Sequence, residues 1–317
     1  MKEEGFAWNA LPDGFSLLIL SIRARSRAGC ENTLVNTDYV QRFLFENLDI
    51  RGRLVCLTGA WRRMTEGRGY PAPIAELLGH STALTALLGA NQKSSGRGSG
   101  RVTLQVQGSG PVKLLVADCA SAMKIRGMAQ YAPDAPRETR VGGLIGSGRL
   151  AVTLEDGASG QVYQSIVPLE GETLAAIFEH YLSQSEQLTS FLRLHASADA
   201  VCGLLLEKLP GADARDADGW NRVTQLAATL ELHETVNAQP YDLLVKLFPE
   251  ELLRVFRIDP VEYHCPFDVQ NVERVLRGLG RDEVEAILAE QGEVVIRNEM
   301  CNHEYRFDRG AVETLFA

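Results

Sequence analysis

The chain has 317 residues, 45% of them hydrophobic, and a formal net charge of −9 at neutral pH. That length suits two domains, or one domain with a substantial appendage, and supports a real core. The acidic balance argues against a general nucleic-acid binder, which needs a basic surface, and no apolar run is long enough to span a membrane. In residues 1–36 the stretch FSLLILSI (15–22) is apolar, but Glu3, Glu4 and Asp13 precede it, and neither a basic start nor a small-residue cleavage site stands out clearly. This is not the pattern of a secretory signal, so the segment is an extension of uncertain status. Cys30, Cys56, Cys119, Cys202, Cys265 and Cys301 are scattered rather than arranged as a framework. Such spacing fits a reducing compartment, and the expected location is cytoplasmic.

From Tyr39 the text becomes regular. VQRFLFENL (40–48) has Val40, Phe43, Leu44 and Leu48 at helical spacing, and IRGRLVCLTG (50–59) reads as a strand in which Cys56 is a small core residue. PIAELLGHSTALTALLGAN (73–91) predicts an amphipathic helix with Ile74, Leu77, Leu78, Leu84, Leu87 and Leu88 inward. His80 on that stripe reads as a half-buried structural histidine. RVTLQVQ (101–107), a GSGP turn and VKLLVAD form one hairpin; RLAVTLE (149–155), a DGASG turn and QVYQSIV (161–167) form a second. GETLAAIFEHYLSQSEQL (171–188) is helical, and HASADAVCGLLLEKL (195–209) holds at least one more strand. Two glycine-rich stretches, SSGRGSGR (94–101) and GGLIGSGR (142–149), lead into strands. A phosphate cradle should instead follow a strand and open a helix, so both read as turns. Strand pairs followed by helices give an α+β domain of largely antiparallel sheet with packed helices, over 37–211.

PGADARDADGW (210–220) marks a shift to small, acidic, turn-rich text. Residues 212–260 carry nine acids against five Lys or Arg, and Val223, Leu226, Ala227 and Leu230 make only a narrow apolar stripe. Pro240, Pro249 and Pro260 then cut the segment into short pieces. It reads as a mostly helical linker that can dock on another domain but has little to hold it folded alone. The last unit, 261–317, begins with a helix capped by Asp268, with Val272, Val275, Leu276 and Leu279 inward and Gly280 as its stop. A second helix, with an Asp282–Glu285 capping box, ends at Gly292; EVVIR, a tight NEMCN turn and EYRF make a hairpin. A helix-plus-hairpin domain this small needs a metal, a disulfide or a docking surface. YHCPFD (263–268) and MCNHEYRFD (300–308) each bring a thiol near an imidazole: His264 beside Cys265, and Cys301 two before His303. These are two halves of a metal site, two halves of a disulfide, or remnants of a larger cysteine set.

Between Tyr39 and Phe307 the chain resembles the redox-regulated heat-shock chaperones of thirty-three kilodaltons. The likeness rests on FLFENLDIRGRLV (43–55), VTLQVQGSGPVKLLV (102–116), MKIRGMAQ (123–130) and LEGETLAAIFEHYLSQSEQL (169–188), in that order. It implies an ATP-independent holdase that binds unfolding proteins under stress, hands them to ATP-driven foldases and forms a homodimer when active. In the family, a C-x-C and a C-x-x-C hold zinc until oxidation pairs the cysteines, expels the metal and unfolds the tail. Here the C-x-C falls on Cys265-Pro266-Phe267 and the C-x-x-C on Asn298-Glu299-Met300-Cys301, so Phe267 and Asn298 stand at two family cysteine positions. His264 and His303 can complete a Cys2His2 set by type, but His264 directly precedes Cys265 and points to the other side of an extended chain. The plainer reading makes both histidines surface residues beside the hairpin, with no cofactor bound.

The family's local disulfides lack their partners, which leaves a Cys265–Cys301 bridge as the one the resemblance permits. Such a bridge staples the tail and opposes its unfolding, so redox switching is altered or lost. Phe267 and Met300 are expected to fill the lost centre by packing, and the tail to fold without metal. Two other readings stand beside the holdase. One is a thiol enzyme using Cys265 or Cys301 with a neighbouring histidine, although no orienting group or pocket suggests itself. The other is a zinc-hairpin nucleic-acid adaptor using Arg274, Arg277, Arg281, Arg297, Arg306 and Arg309, although acids interleave with these.

Overall fold

A computed structural model describes residues 38–90, 100–133 and 140–317; the extension at 1–36 and most of SSGRGSGR lie outside the described residues. Strands β1 (Tyr39–Phe45) and β2 (Ile50–Leu57) are followed by helices α1 (Gly59–Thr65) and α2 (Ala72–Gly89). Next come β3 (Arg101–Gly108), β4 (Val112–Ala120) and β5 (Lys124–Tyr131), then a short α3 (Val141–Ile145) before the hairpin of β6 (Gly148–Glu155) and β7 (Val162–Val167). Helix α4 (Leu174–Ser185) leads into β8 (Ser190–Ala196) and β9 (Val201–Lys208). Four short helices follow: α5 (Ala212–Arg215), α6 (Gly219–Ala227), α7 (Leu232–Asn237) and α8 (Pro240–Leu247). Three short strands come after them, β10 (Leu253–Val255), β11 (Asp259–Pro260) and β12 (Glu262–Tyr263). The tail holds α9 (Val269–Leu279), α10 (Arg281–Gln291), the hairpin of β13 (Val294–Asn298) and β14 (His303–Phe307), and α11 (Arg309–Leu315).

One six-stranded sheet runs β10-β1-β2-β9-β8 with β11 also on β1; a second runs β12-β5-β4-β3-β6-β7. Every pairing is antiparallel except that of β12 with β5. Helix α2 lies between the sheets, against β2, β8 and β9 of one and β3, β4 and β5 of the other. It is therefore buried on more than the predicted stripe. Ser81, Thr82 and Thr85 are also inside, each hydroxyl donating to the carbonyl four residues back, at 2.7, 2.8 and 2.6 Å. The first sheet is covered on both faces. Val40, Val55 and Leu57 face α2, while Tyr39, Phe43, Phe45, Ile50 and Leu54 face the linker helices.

This double burial explains the main correction to the sequence reading. Residues 39–45 form a strand, not the predicted helix, because β2 and β10 pair with them along both edges. Apolar residues wanted on both faces blur the alternation that marks a strand and imitate helical spacing. Phe43 lies directly over Gly52, where a Cβ would sit 2.1 Å from the ring. GGLIGSGR is also more than a turn: its start belongs to α3, and Gly146 then reverses the chain at φ +65. In the tail, Asp268 caps α9 as expected, accepting from the Asn271 N–H. Only Val272 and Leu276 of its apolar residues are buried; Val275 and Leu279 face outward, since the tail packs α9 on one side only. The Asp282–Glu285 box does not form; α10 opens on Gly280 without a side-chain cap.

Candidate redox site and the face beneath the linker

Cys265 lies two residues beyond the end of β12, after His264, and Cys301 sits in the turn joining β13 to β14. Their Cα atoms are 5.7 Å apart and the two sulfurs lie at disulfide distance, a separation inside the range such bonds require. Cys301 is buried. The Asn298 side-chain oxygen accepts from the N–H of Met300 at 3.0 Å and of Cys301 at 3.4 Å. Asparagine thus shapes the turn around Cys301 by bonding its own downstream backbone.

The same geometry tests the donor set against a four-ligand zinc centre, and the set does not fit. The Asn298 oxygen is committed to the turn. Phe267 is 61% exposed and stacks on the Tyr305 ring at 4.4 Å, so it does not fill a vacated centre as the sequence suggested. His303 is exposed beside Phe267, and His264 lines a cleft of about 320 Å³ with Arg101, Asp118, Lys124 and Arg126. Among the described residues no group of three or more His, Cys, Asp and Glu converges as a metal site.

The tail meets the core through few contacts. β12 adds to the edge of β5 in parallel, with Tyr263 opposite Ile125, and the His264 N–H donates to the Ile125 carbonyl at 2.9 Å. Arg68 donates to the carbonyls of Glu299 and Met300, at 2.9 and 2.7 Å, and so holds the turn that carries Cys301. The tail's own core, with Leu276, Val284, Val294 and Tyr305 inside, is a separate cluster.

The linker is held differently. Val223, Ala227, Leu230, Leu243, Leu244 and Phe248 are buried against the first sheet in one cluster with Tyr39, Phe43, Phe45, Ile50 and Leu54. Phe248 meets Phe45 edge-on at 4.9 Å and Phe43 at 6.2 Å. Polar ties frame this patch: Arg222 with Glu251 and Asp216 at 2.7 and 2.9 Å, Gln41 to the Phe256 carbonyl at 2.6 Å, and the His195 ring nitrogen with the Leu230 carbonyl at 3.1 Å. Beneath the helices lies a feature that sequence spacing does not display. Cys56, expected to be a small core residue, and Cys202 are both buried and face each other across β2 and β9 with their sulfurs 3.2 Å apart.

A family model described as Hsp33 protein matches residues 38–308. The chain belongs to the Hsp33 family. It is 37% identical over 281 residues to the 33 kDa chaperonin of Methylobacillus flagellatus, covering 88% of this chain and 94% of that relative. It is 39% identical over 281 residues to the 33 kDa chaperonin of Nitrosococcus oceani, covering 89% and 95%. The crystal structure of the Hsp33 homologue from Thermotoga maritima superposes with a TM-score of 0.70 over 88% of this chain and 97% of the other, at 20% identity, and so shares the fold. Hsp33 proteins are chaperones rather than an enzyme family, and neither the thiol-enzyme nor the nucleic-acid reading gains support. No helix of the described residues is long and apolar enough to cross a membrane.

Proposed function

We propose that this protein is an ATP-independent holdase whose client surface is the apolar sheet face that the linker covers at rest. The observation that carries this reading is the cluster of Phe43, Phe45, Ile50 and Leu54 closed by residues of short helices. Segments this short do not hold their shape without the surface they rest on, and once they lift, the sheet presents a contiguous apolar patch of the kind that marks binding sites. The division into core (37–211), linker (212–260) and tail (261–317) is supported by the tail's own apolar cluster and by the packing of the linker residues on the outer face of the first sheet rather than in the cluster around α2. Clients are unfolding, aggregation-prone proteins; release to ATP-driven foldases, dimer formation on activation and a cytoplasmic location complete the reading, by likeness to the family.

Regulation differs from the four-cysteine scheme. A Cys265–Cys301 bridge ties the strand that leaves the core to the hairpin of the tail, so its formation stabilises the closed tail and its reduction loosens it. The tail folds on its own cluster and on this bridge, without zinc. The test is light scattering of a heat-unfolding model client, without ATP, in the presence of reductant or of peroxide. Suppression of aggregation that is stronger under reductant supports both parts. Suppression only after peroxide overturns the regulatory part, and no suppression in either condition overturns the holdase.

A further inference from the structure

The first sheet carries a row of reactive side chains on its linker face. Register places Tyr39 opposite Cys56, Cys56 opposite Cys202, and Cys202 opposite His195, across β1, β2, β9 and β8. Directly opposed residues in antiparallel strands project to the same face, with Cα atoms about 4.5–5.5 Å apart, inside the disulfide range of about 4.4–6.8 Å. The Cys56 and Cys202 sulfurs are already 3.2 Å apart; a bond of about 2.05 Å asks each to move by roughly half an ångström or a little more. Both thiols are buried, and the hydrogen bond with the Cys56 sulfur, followed by burial, pushes the Cys202 thiol well above its ordinary pKa, so Cys202 is a poor nucleophile while covered. Tyr39 contributes a buried hydroxyl without a hydrogen-bond partner. The cover itself ends on this row, because the His195 ring nitrogen is held by the linker carbonyl of Leu230.

We propose that Cys56 and Cys202 are a second redox pair, which the docked linker shields and which closes to a cross-strand disulfide when the linker lifts in the presence of a peroxide. One thiolate attacks the peroxide, which leaves as water or an alcohol, and becomes a sulfenic acid. The second sulfur attacks that sulfenic sulfur and expels water. Two thiols are oxidised and one peroxide is reduced, with the thiol protons leaving in the water formed. His195, released from Leu230 by the same movement but still accepting from the Arg193 guanidinium at 3.2 Å, stands opposite Cys202 in register. The bridge joins strands 146 residues apart in the chain and holds the sheet together while it is uncovered. It also records covalently that the protein has opened.

This inference rests on the proposed undocking of the linker, so the experiment forces that undocking and reads the bridge without any client. In a Cys265→Ser/Cys301→Ser background, which removes exchange with the tail, Ala227→Asp places a carboxylate at a fully buried linker position. Hydrogen exchange over 219–248 reports whether the linker has lifted. Hydrogen peroxide is then added, and unreduced peptides are mapped by mass spectrometry. The Cys56–Cys202 peptide should form at least about tenfold faster than with Ala227 in place, since reaction follows the open population. Equal rates overturn the shielding, and no bridge in a chain whose linker exchanges freely overturns the pair. If Ala227→Asp does not fold, the rate with Ala227 retained is followed in urea below the core transition. It should rise with linker exchange, and a flat response refutes the gate. A bridge that forms while aggregation assays fail leaves this inference standing and removes only the holdase.

Discussion

Replacing Phe248 by alanine should switch the protein on at lower temperature. Phe248 is 1% exposed, ends α8, and fills the space between Phe43 and Phe45. Removing a buried phenylalanine costs about 3–5 kcal/mol, of which each aromatic contact supplies roughly 0.5–1.5. Here most of that loss falls on linker docking, because the cluster around α2 contains neither Phe248 nor its partners. At about 1.4 kcal/mol per factor of ten, the undocked population should grow by roughly 10²–10³-fold. Hydrogen exchange over 219–248 should accelerate accordingly, while β3–β6 stay protected. Suppression of client aggregation should then begin below the temperature at which the unaltered protein becomes active. If the linker exchanges freely but suppression is unchanged, the covered sheet is not the client surface.

Other outcomes follow from individual residues. Reductant should lower the melting temperature of the tail, since opening the Cys265–Cys301 link frees a loop worth roughly 3–4 kcal/mol by chain entropy, whereas a chelator should leave it unmoved; calorimetry of the full chain in each condition separates the two. Glu207→Ala should cost about 3–5 kcal/mol in urea unfolding, because it strands Arg53, which is 2% exposed and pairs with Glu207 between β2 and β9; the added change Arg53→Met should recover much of the loss. Burial, with a smaller push from His195, lowers the His80 pKa to about 4. The unfolded chain therefore takes up that proton near pH 6.5 while the folded one does not, so stability is full above about 6.5 and falls toward pH 4, by an upper limit of about 3 kcal/mol. His80→Gln should flatten that part of the melting curve, and parallel curves would rule the histidine out.

The sequence displays best those elements whose burial is one-sided. β3 alternates cleanly, Val102, Leu104 and Val106 against Thr103, Gln105 and Gln107, because its outer face meets solvent. β1 misled because both of its faces are covered. β5 went unassigned because the Gly127 that lets Met64 and Leu78 approach its backbone also interrupts the apolar run. Cys265 and Cys301 were legible as candidates from their thiol–imidazole spacing and as a bridge through the family pattern; the structure adds the local Asn298 turn and the Arg68 tether, which comes from a segment more than two hundred residues away. Cys56 and Cys202 were named but not joined, since nothing in the letters gives the register of β2 on β9. Phe267 shows the opposite failure: an apolar side chain beside a lost metal position invites a core role, yet it stacks on the outside of Tyr305.

Under the proposed mechanism these contacts also order the events of activation. The tail is fixed to the core by a two-residue ladder, the Arg68 bonds and Val261, whose N–H donates to the Asp38 carbonyl at 2.9 Å. None of these lies in the cluster under the linker, so the tail can open without uncovering Phe43 or Phe45. What it releases is β12, which follows immediately on the short strands β10 and β11 that hold the linker's end to β1. With that end free, the helices remain on the sheet through Leu243, Leu244 and Phe248, each worth about 1.5–3 kcal/mol of burial. Heat must therefore overcome the linker cluster itself, and loss of the tail lowers that barrier without removing it. A chain that keeps one sulfur at each tail site can thus depend on temperature for opening and use its tail bond to set how readily the opening starts.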